Sequence, residues 1–234
     1  MYNLAIDTSC EKSSLAIEKD GVVIVSLEHQ SQKLQTGFFS LIDNVFKENE
    51  INPFDVDHVI TGIGPGSFTG VRIGVSFAKT YCQLTGAKLT GVPSFFLSLA
   101  EYIPNRYYIS VIPSTRTECY AVLFQTDKNN RIELVHDIDD GKPDRIIDLT
   151  GNLPDGSELV IYGEGVGMVR DLNFSKKMKV RFLSPDDTLP KADRAFGFVS
   201  NHKKNCISGD PMTLVPFYVR PSPAELVWMK REGN

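Results

Sequence analysis

The stretch Gly64-Pro65-Gly66-Ser67-Phe68-Thr69-Gly70-Val71-Arg72-Ile73-Gly74 sets the fold class of this chain. It follows an apolar strand candidate, Val59–Ile63, and opens a helix expected to run to about Thr85. A strand feeding a glycine-rich loop and then a helix gathers free N–H groups and the positive helix end at one point, which suits an anion. The loop lacks the lysine of a Walker P-loop, and its glycine spacing is not that of a dinucleotide fingerprint. A tight turn with Ser67 or Thr69 as N-cap accounts for the same residues without a ligand. Gly66, Gly70, Gly74 and Ala78 recur every four residues, so the helix carries a stripe nearly free of side chains that another backbone can approach. From Thr69 to Thr85 the only charges are Arg72 and Lys79, while Val71, Ile73, Val75, Phe77, Tyr81, Cys82 and Leu84 spread apolar surface almost all round. A helix of that kind is buried on every side, by a sheet and by either the rest of the chain or a partner subunit.

Upstream, Leu4–Asp7, Ser14–Glu18 and Val22–Leu27 alternate with turns, Asp20-Gly21 among them, and read as an antiparallel meander. Leu34, Phe38, Leu41, Ile42, Val45 and Phe46 then fall at helical spacing, and Asn52-Pro53 closes that segment. Phe38 and Phe39 are adjacent, and neighbours on a helix point about 100° apart, so the pair widens the apolar arc beyond one core-facing stripe. Downstream, Leu89–Val92 is a strand and Pro93-Ser94 begins a third helix to about Tyr102. Tyr107–Ile112, Glu118–Gln125 and Ile132–Asp137 form a second meander, followed by a strand at Leu159–Tyr162, a helix over Leu189–Asn205 and an extended piece at Leu214–Val219. Lys176–Lys179 reads as a solvated charge run. Strands then helices, twice over, predict a duplicated α/β architecture about a cleft, with the boundary near Asn105 and a second half poorer in helix.

Composition narrows the function. Lys plus Arg is 25 against 29 for Asp plus Glu, a formal charge of −4, which argues against nucleic-acid binding through a basic face of the chain alone. The start, Met-Tyr-Asn-Leu-Ala-Ile-Asp, does not read as a signal peptide, so none is expected, and no apolar run is long enough for a bilayer. Cys10, Cys82, Cys119 and Cys206 lie far apart, as do His29, His58, His136 and His202, so neither a disulfide framework nor a metal site is expected. A cytoplasmic setting follows. Asp7-Thr8-Ser9, at a strand exit, could hold a metal-bound or water-bridged phosphate, or simply satisfy backbone donors. No G-x-S-x-G elbow and no carboxylate–histidine pair at helical spacing appears, so no catalytic residue is assigned.

The string Gly64–Gly74, with Ala5-Ile6-Asp7-Thr8-Ser9 at the start and Pro216-Phe-Tyr-Val-Arg-Pro221 near the end, resembles the bacterial TsaB (YeaZ) family over nearly the whole chain. The resemblance implies the actin/Hsp70/sugar-kinase (ASKHA) fold, with subdomains at 1–105 and 106–221 and a tail at 222–234. It also implies a non-catalytic subunit in tRNA threonylcarbamoyladenosine formation, paired with a TsaD-type catalytic subunit and joined by a TsaE-type ATPase. Under it tRNA is met only through the complex, self-pairing uses the same helices, and there is no membrane partner. The chain has no cofactor of its own beyond weak ATP or ADP binding, mainly in the complex. The implied nucleotide contacts are Asp7, Thr8, Ser9, Gly64, Gly66, Ser67 and Thr69. The implied pairing helices, about Leu34–Glu48 and Thr69–Thr85, offer Leu34, Phe38, Phe39, Ile42, Val45, Gly70, Ile73, Gly74, Phe77, Ala78 and Tyr81. One departure stands out. Where the family commonly has Asp-Ala-Arg, two residues, then Glu-Val-Tyr, this chain has Pro113-Ser114-Thr115 and then Glu118-Cys119-Tyr120, which implies a degenerate nucleotide cleft. A stand-alone enzyme of the same fold (a peptidase or small-molecule kinase) and a homodimeric nucleotide sensor are the competing expectations.

Overall fold

A computed structural model describes residues 1–30, 34–221 and 228, with 34–36 described by backbone alone. β1 (Tyr2–Asp7), β2 (Lys12–Lys19) and β3 (Val22–Gln30) form the expected meander. α1 (Leu34–Glu48) leads to β4 (Val56–Gly62), which pairs parallel with β1. α2 (Phe68–Thr85) leads to β5 (Lys88–Val92), parallel to β4. The second half repeats the pattern: β6 (Arg106–Pro113), β7 (Cys119–Thr126) and β8 (Ile132–Gly141) form a meander. β9 (Glu158–Tyr162) then pairs parallel with β6, and β10 (Lys179–Phe182) with β9. The helices that link these strands shrink to α3 (Ile146–Thr150) and a 3-10 turn at Glu164–Met168.

The two sheets therefore share one strand order: β5-β4-β1-β2-β3 in the first and β10-β9-β6-β7-β8 in the second. That repetition is the ASKHA fold. After the second sheet the chain returns to the first. α4 (Arg194–Asn201) packs between the sheets, and β11 (Ile207–Gly209) adds antiparallel to β5 as a sixth strand. Residues expected to belong wholly to the second subdomain thus complete the first sheet.

Burial alternates along the central strands as the pleat requires. Leu4 and Ile6 of β1 face α1 and α2, and Ala5 faces the other sheet. Tyr108 of β6 faces the first sheet, and Ile109 and Val111 face α3. Between the sheets lies an aromatic layer in which Phe96 stacks on Phe198 at 4.9 Å and Tyr108 on Phe124 at 5.3 Å. This layer closes the base and leaves the strand carboxyl ends to open the cleft.

Two expected helices differ. The helix predicted over Pro93–Tyr102 is a 3-10 turn at Ser94–Ser98, because Ser94, Phe95, Phe96, Leu97 and Ser98 are all buried and leave no solvent face for a longer amphipathic helix. The helix over Leu189–Asn205 is confined to Arg194–Asn201 and a 3-10 turn at Lys203–Asn205. The piece at Leu214–Val219 joins no sheet; it is a strap whose Phe217 N–H donates to the Ile63 carbonyl at 2.7 Å. The expected tail at 222–234 lies outside the described residues apart from Trp228.

Candidate functional site

Because β1, β4 and β5 run parallel, their carboxyl ends bring Asp7-Thr8-Ser9, Gly62–Gly66 and Pro93-Ser94 to one edge of the first sheet. β6 and β9 likewise deliver Pro113 and Glu164 at the facing edge of the second. Open α/β sheets bind ligands outside such carboxyl ends. The cleft between them has a portion of about 370 Å³ lined by Ser9, Glu11, Gly66, Ser67, Thr69 and Glu164 among others. A neighbouring portion of about 350 Å³ lies under the strap, against Phe68, Pro113, Tyr120 and Tyr218.

Asp7 does not reach that space. Its side chain is fully buried, and its Oδ1 accepts from the Ser9 amide at 2.8 Å and the Ser9 hydroxyl at 2.6 Å. Its Oδ2 is buried without a hydrogen-bond partner and lies where a Cβ on Gly62 would collide with it, so Gly62 is the residue that makes room for this carboxylate. Burial raises its pKa above the ordinary carboxylate value, against the lowering effect of the Ser9 hydrogen bonds. Thr8 is turned inward as well; its hydroxyl donates to the Gly70 carbonyl at 2.7 Å. The expectation that Asp7 and Thr8 hold a phosphate over the turn is therefore corrected: Asp7 braces Ser9 within the first loop, and Thr8 ties that loop to the second. Ser67 completes the tie, its N–H donating to the Ser9 carbonyl at 2.6 Å while its hydroxyl accepts from the Gly70 N–H as the N-cap of α2. Of the nucleotide candidates, Ser9, Gly66, Ser67 and Thr69 line the cleft, and Gly64 is buried behind it with its N–H on the Ser94 hydroxyl at 3.0 Å.

Cleft electrostatics do not favour a polyphosphate. Glu164 faces the same space as Glu11, and burial followed by the Glu11 charge raises its pKa. Among the described residues the arginine lining the cleft is Arg220, and it is occupied: its guanidinium reaches Glu118 and Asp140, each at 2.7 Å. Asp140 also accepts from the Ser114 hydroxyl at 2.7 Å. Pro113, Ser114 and Thr115 thus build a turn latched to the strap through Asp140 and Arg220. Among the described residues no three His, Cys, Asp or Glu side chains come together as a metal site.

The pairing helices need a larger correction. Phe38, Ile42 and Val45 belong to the chain's own core. Gly70 and Gly74 face inward, where an added Cβ would collide with the Thr8 carbonyl and the Thr8 hydroxyl respectively, and Ala78 is fully buried. The small-residue stripe serves close packing of α2 on the first loop and the sheet, not on a partner. The charges of α2 serve the strap: Lys79 Nζ donates to the Leu214 carbonyl at 2.8 Å and Arg72 Nε to the Tyr218 hydroxyl at 2.7 Å. The apolar residues left toward the outside are Ile73, Phe77 and Tyr81, half-buried, and Leu84, exposed, on one line of α2, with Ser76 and Thr80 exposed beside it. Phe39 of α1 is 45% exposed and its ring lies 5.9 Å from that of Phe77. The side chain of Leu34 lies outside the described residues. The sequence reading missed Ser94, Glu164 and Arg220; each sits just beyond or opposite a strand end, where a parallel sheet gathers its loops.

Comparison with known proteins adds the following. The family model for TsaD, tRNA N6-adenosine threonylcarbamoyltransferase, matches residues 23–180. The TsaB protein of tRNA threonylcarbamoyladenosine biosynthesis from Bacillus subtilis is 25% identical over 255 aligned positions, spanning 99% of this chain and 100% of its own. Its counterpart in Escherichia coli is 28% identical over 133 positions, 55% of this chain and 57% of its own. A solved Pseudomonas aeruginosa structure, described as an uncharacterized protein with similarity to peptidase YEAZ, superposes with a TM-score of 0.73 at 20% identity over 94% of this chain and 99% of that one.

Proposed function

The chain belongs to the TsaD family, in its TsaB (YeaZ) branch, and from that premise we propose that it is a non-catalytic subunit of tRNA threonylcarbamoyladenosine biosynthesis. It pairs with a TsaD-type catalytic subunit, a TsaE-type ATPase joins the pair, and the setting is the cytoplasm. One observation carries the non-catalytic part: the cleft presents Glu11 and Glu164, while its arginine and the Asp7 carboxylate are spent on internal contacts. A nucleotide held there would meet like charge at its phosphates, which supports weak ATP or ADP contact completed only by a partner. The partner face is Phe39, Ile73, Phe77, Tyr81 and Leu84, and the same face serves self-pairing. Sedimentation velocity of the chain mixed with a TsaD-type subunit tests this. A single faster boundary is expected; two species that sediment independently at micromolar concentration would sink the pairing.

A further inference from the structure

Away from the cleft, the rim of the first sheet carries a pocket of about 350 Å³. Strand register builds its floor: His58 of β4 is the partner of Lys88 on β5, and Thr90 is the partner of Ser208 on β11. His58 Nε2 and Thr90 Oγ1 lie 2.8 Å apart. Val199 from α4, with Lys203 and Cys206 from the turn after it, forms the opposite wall. Lys88 and Lys203 make no ion pair among the described residues. The carboxylates bordering this rim are engaged elsewhere. Glu18 accepts from Asn3 Nδ2 at 2.7 Å, Asp57 from the Tyr2 N–H at 2.8 Å, and Asp210 from the Met212 N–H at 2.8 Å. Burial pushes the Cys206 thiol up to about 11, so that wall carries no thiolate charge at neutral pH.

We propose that this pocket binds a phosphate group, with Lys88 and Lys203 as its two cations and the hydroxyls of Thr90 and Ser208 as directed donors. In the tautomer in which His58 Nε2 carries the proton, it donates to Thr90 Oγ1 and leaves the Thr90 hydroxyl hydrogen for a ligand oxygen. Two point-charge ammonium groups and two hydroxyls set around one pocket suit the tetrahedral oxygens of a phosphate better than a planar carboxylate. The pocket is larger than a bare phosphate needs, so the group is one carried on an organic body: a nucleotide monoester or a diester of an RNA backbone. This inference stands on the rim residues alone and does not rest on the proposed function.

The test is an amide NMR titration of the full chain at constant ionic strength with three probes: inorganic phosphate, adenosine 5′-monophosphate, and a short RNA without terminal phosphates. Saturable shifts centred on Thr90, Ser208 and Gly209 are expected. The double variant Lys88→Ala/Lys203→Ala should weaken them by about tenfold or more, since each loss removes a charge-assisted contact. Lys128→Ala, in a turn of the second sheet, should leave them unchanged. Saturation by inorganic phosphate and adenosine 5′-monophosphate but not by the RNA assigns the pocket to a mononucleotide, and saturation by the RNA as well assigns it to a backbone phosphate. Shifts that never saturate, or that are equal in wild type and the folded double variant, would overturn the site.

Discussion

At the scale of single residues, the two loops are held by buried polar contacts whose removal has calculable consequences. Asp7 has its pKa raised by burial. A carboxyl raised in the folded state contributes stability that is complete below the unfolded value, about 3.9, and is lost as pH rises through the folded value. Asn cannot ionise and keeps the acceptor that Ser9 uses. Asp7→Asn should therefore gain on the wild type in urea unfolding as pH goes from 4 to 7, and a difference constant with pH would refute the burial argument. Gly74→Ala places a methyl against the Thr8 hydroxyl and should cost about 1–3 kcal/mol in the same assay, the usual range for overpacking. Spacing alone could not tell which side Gly74 faces, because a small-residue stripe is as useful against one's own loop as against a partner. Only the position of Thr8, set by long-range strand pairing, decides it.

Elements with strong periodicity were legible and elements without it were not. The apolar spacing of α1 and the Ser67 start of α2 are local signals, so their extents follow closely from the sequence. β10 is an edge strand with alternating exposure beside a lysine run, and its charged start conceals it. The strap offers no pattern at all, since its bonds go to Ile63, Lys79 and Arg72, far away in sequence. Its fit nonetheless explains why α2 is apolar on so many sides: the sheet, α1 and the strap each take one, leaving the line Ile73, Phe77, Tyr81 and Leu84. Phe39 stands beside that line and contributes little to the monomer's own core. Phe39→Asp should leave the unfolding midpoint near wild type but cost about 2 kcal/mol or more of association, roughly 30-fold in Kd, as hot-spot aromatics do. Equilibrium sedimentation with the TsaD-type subunit reads this directly; undiminished affinity would move the interface elsewhere.

For the whole molecule, two sheets of one strand order are joined at the base by aromatic rings and at the mouth by the strap. The duplication was legible because it repeats a coarse pattern of strands and helices. The return of β11 to the first sheet was not, since three residues carry no periodic signal. Arg220 links the strap to Glu118 and Asp140 across the mouth, where all three side chains are partly exposed. Arg220→Ala should therefore cost only about 1 kcal/mol after solvent screening, yet speed hydrogen exchange at Ser114 and Thr115; unchanged exchange there would mean the turn holds without the strap. With a formal charge of −4, the isolated chain should bind tRNA only at the sequence-independent level, about 10⁻⁴ to 10⁻⁶ M at physiological salt. The most direct test of a non-catalytic subunit in a tRNA-modifying assembly is reconstituted threonylcarbamoyl transfer to tRNA, measured with this chain alone, with the TsaD-type and TsaE-type subunits alone, and with all three. The account predicts no product from the chain by itself and a large gain when it joins the others; product from the isolated chain, or no gain on its addition, would contradict it.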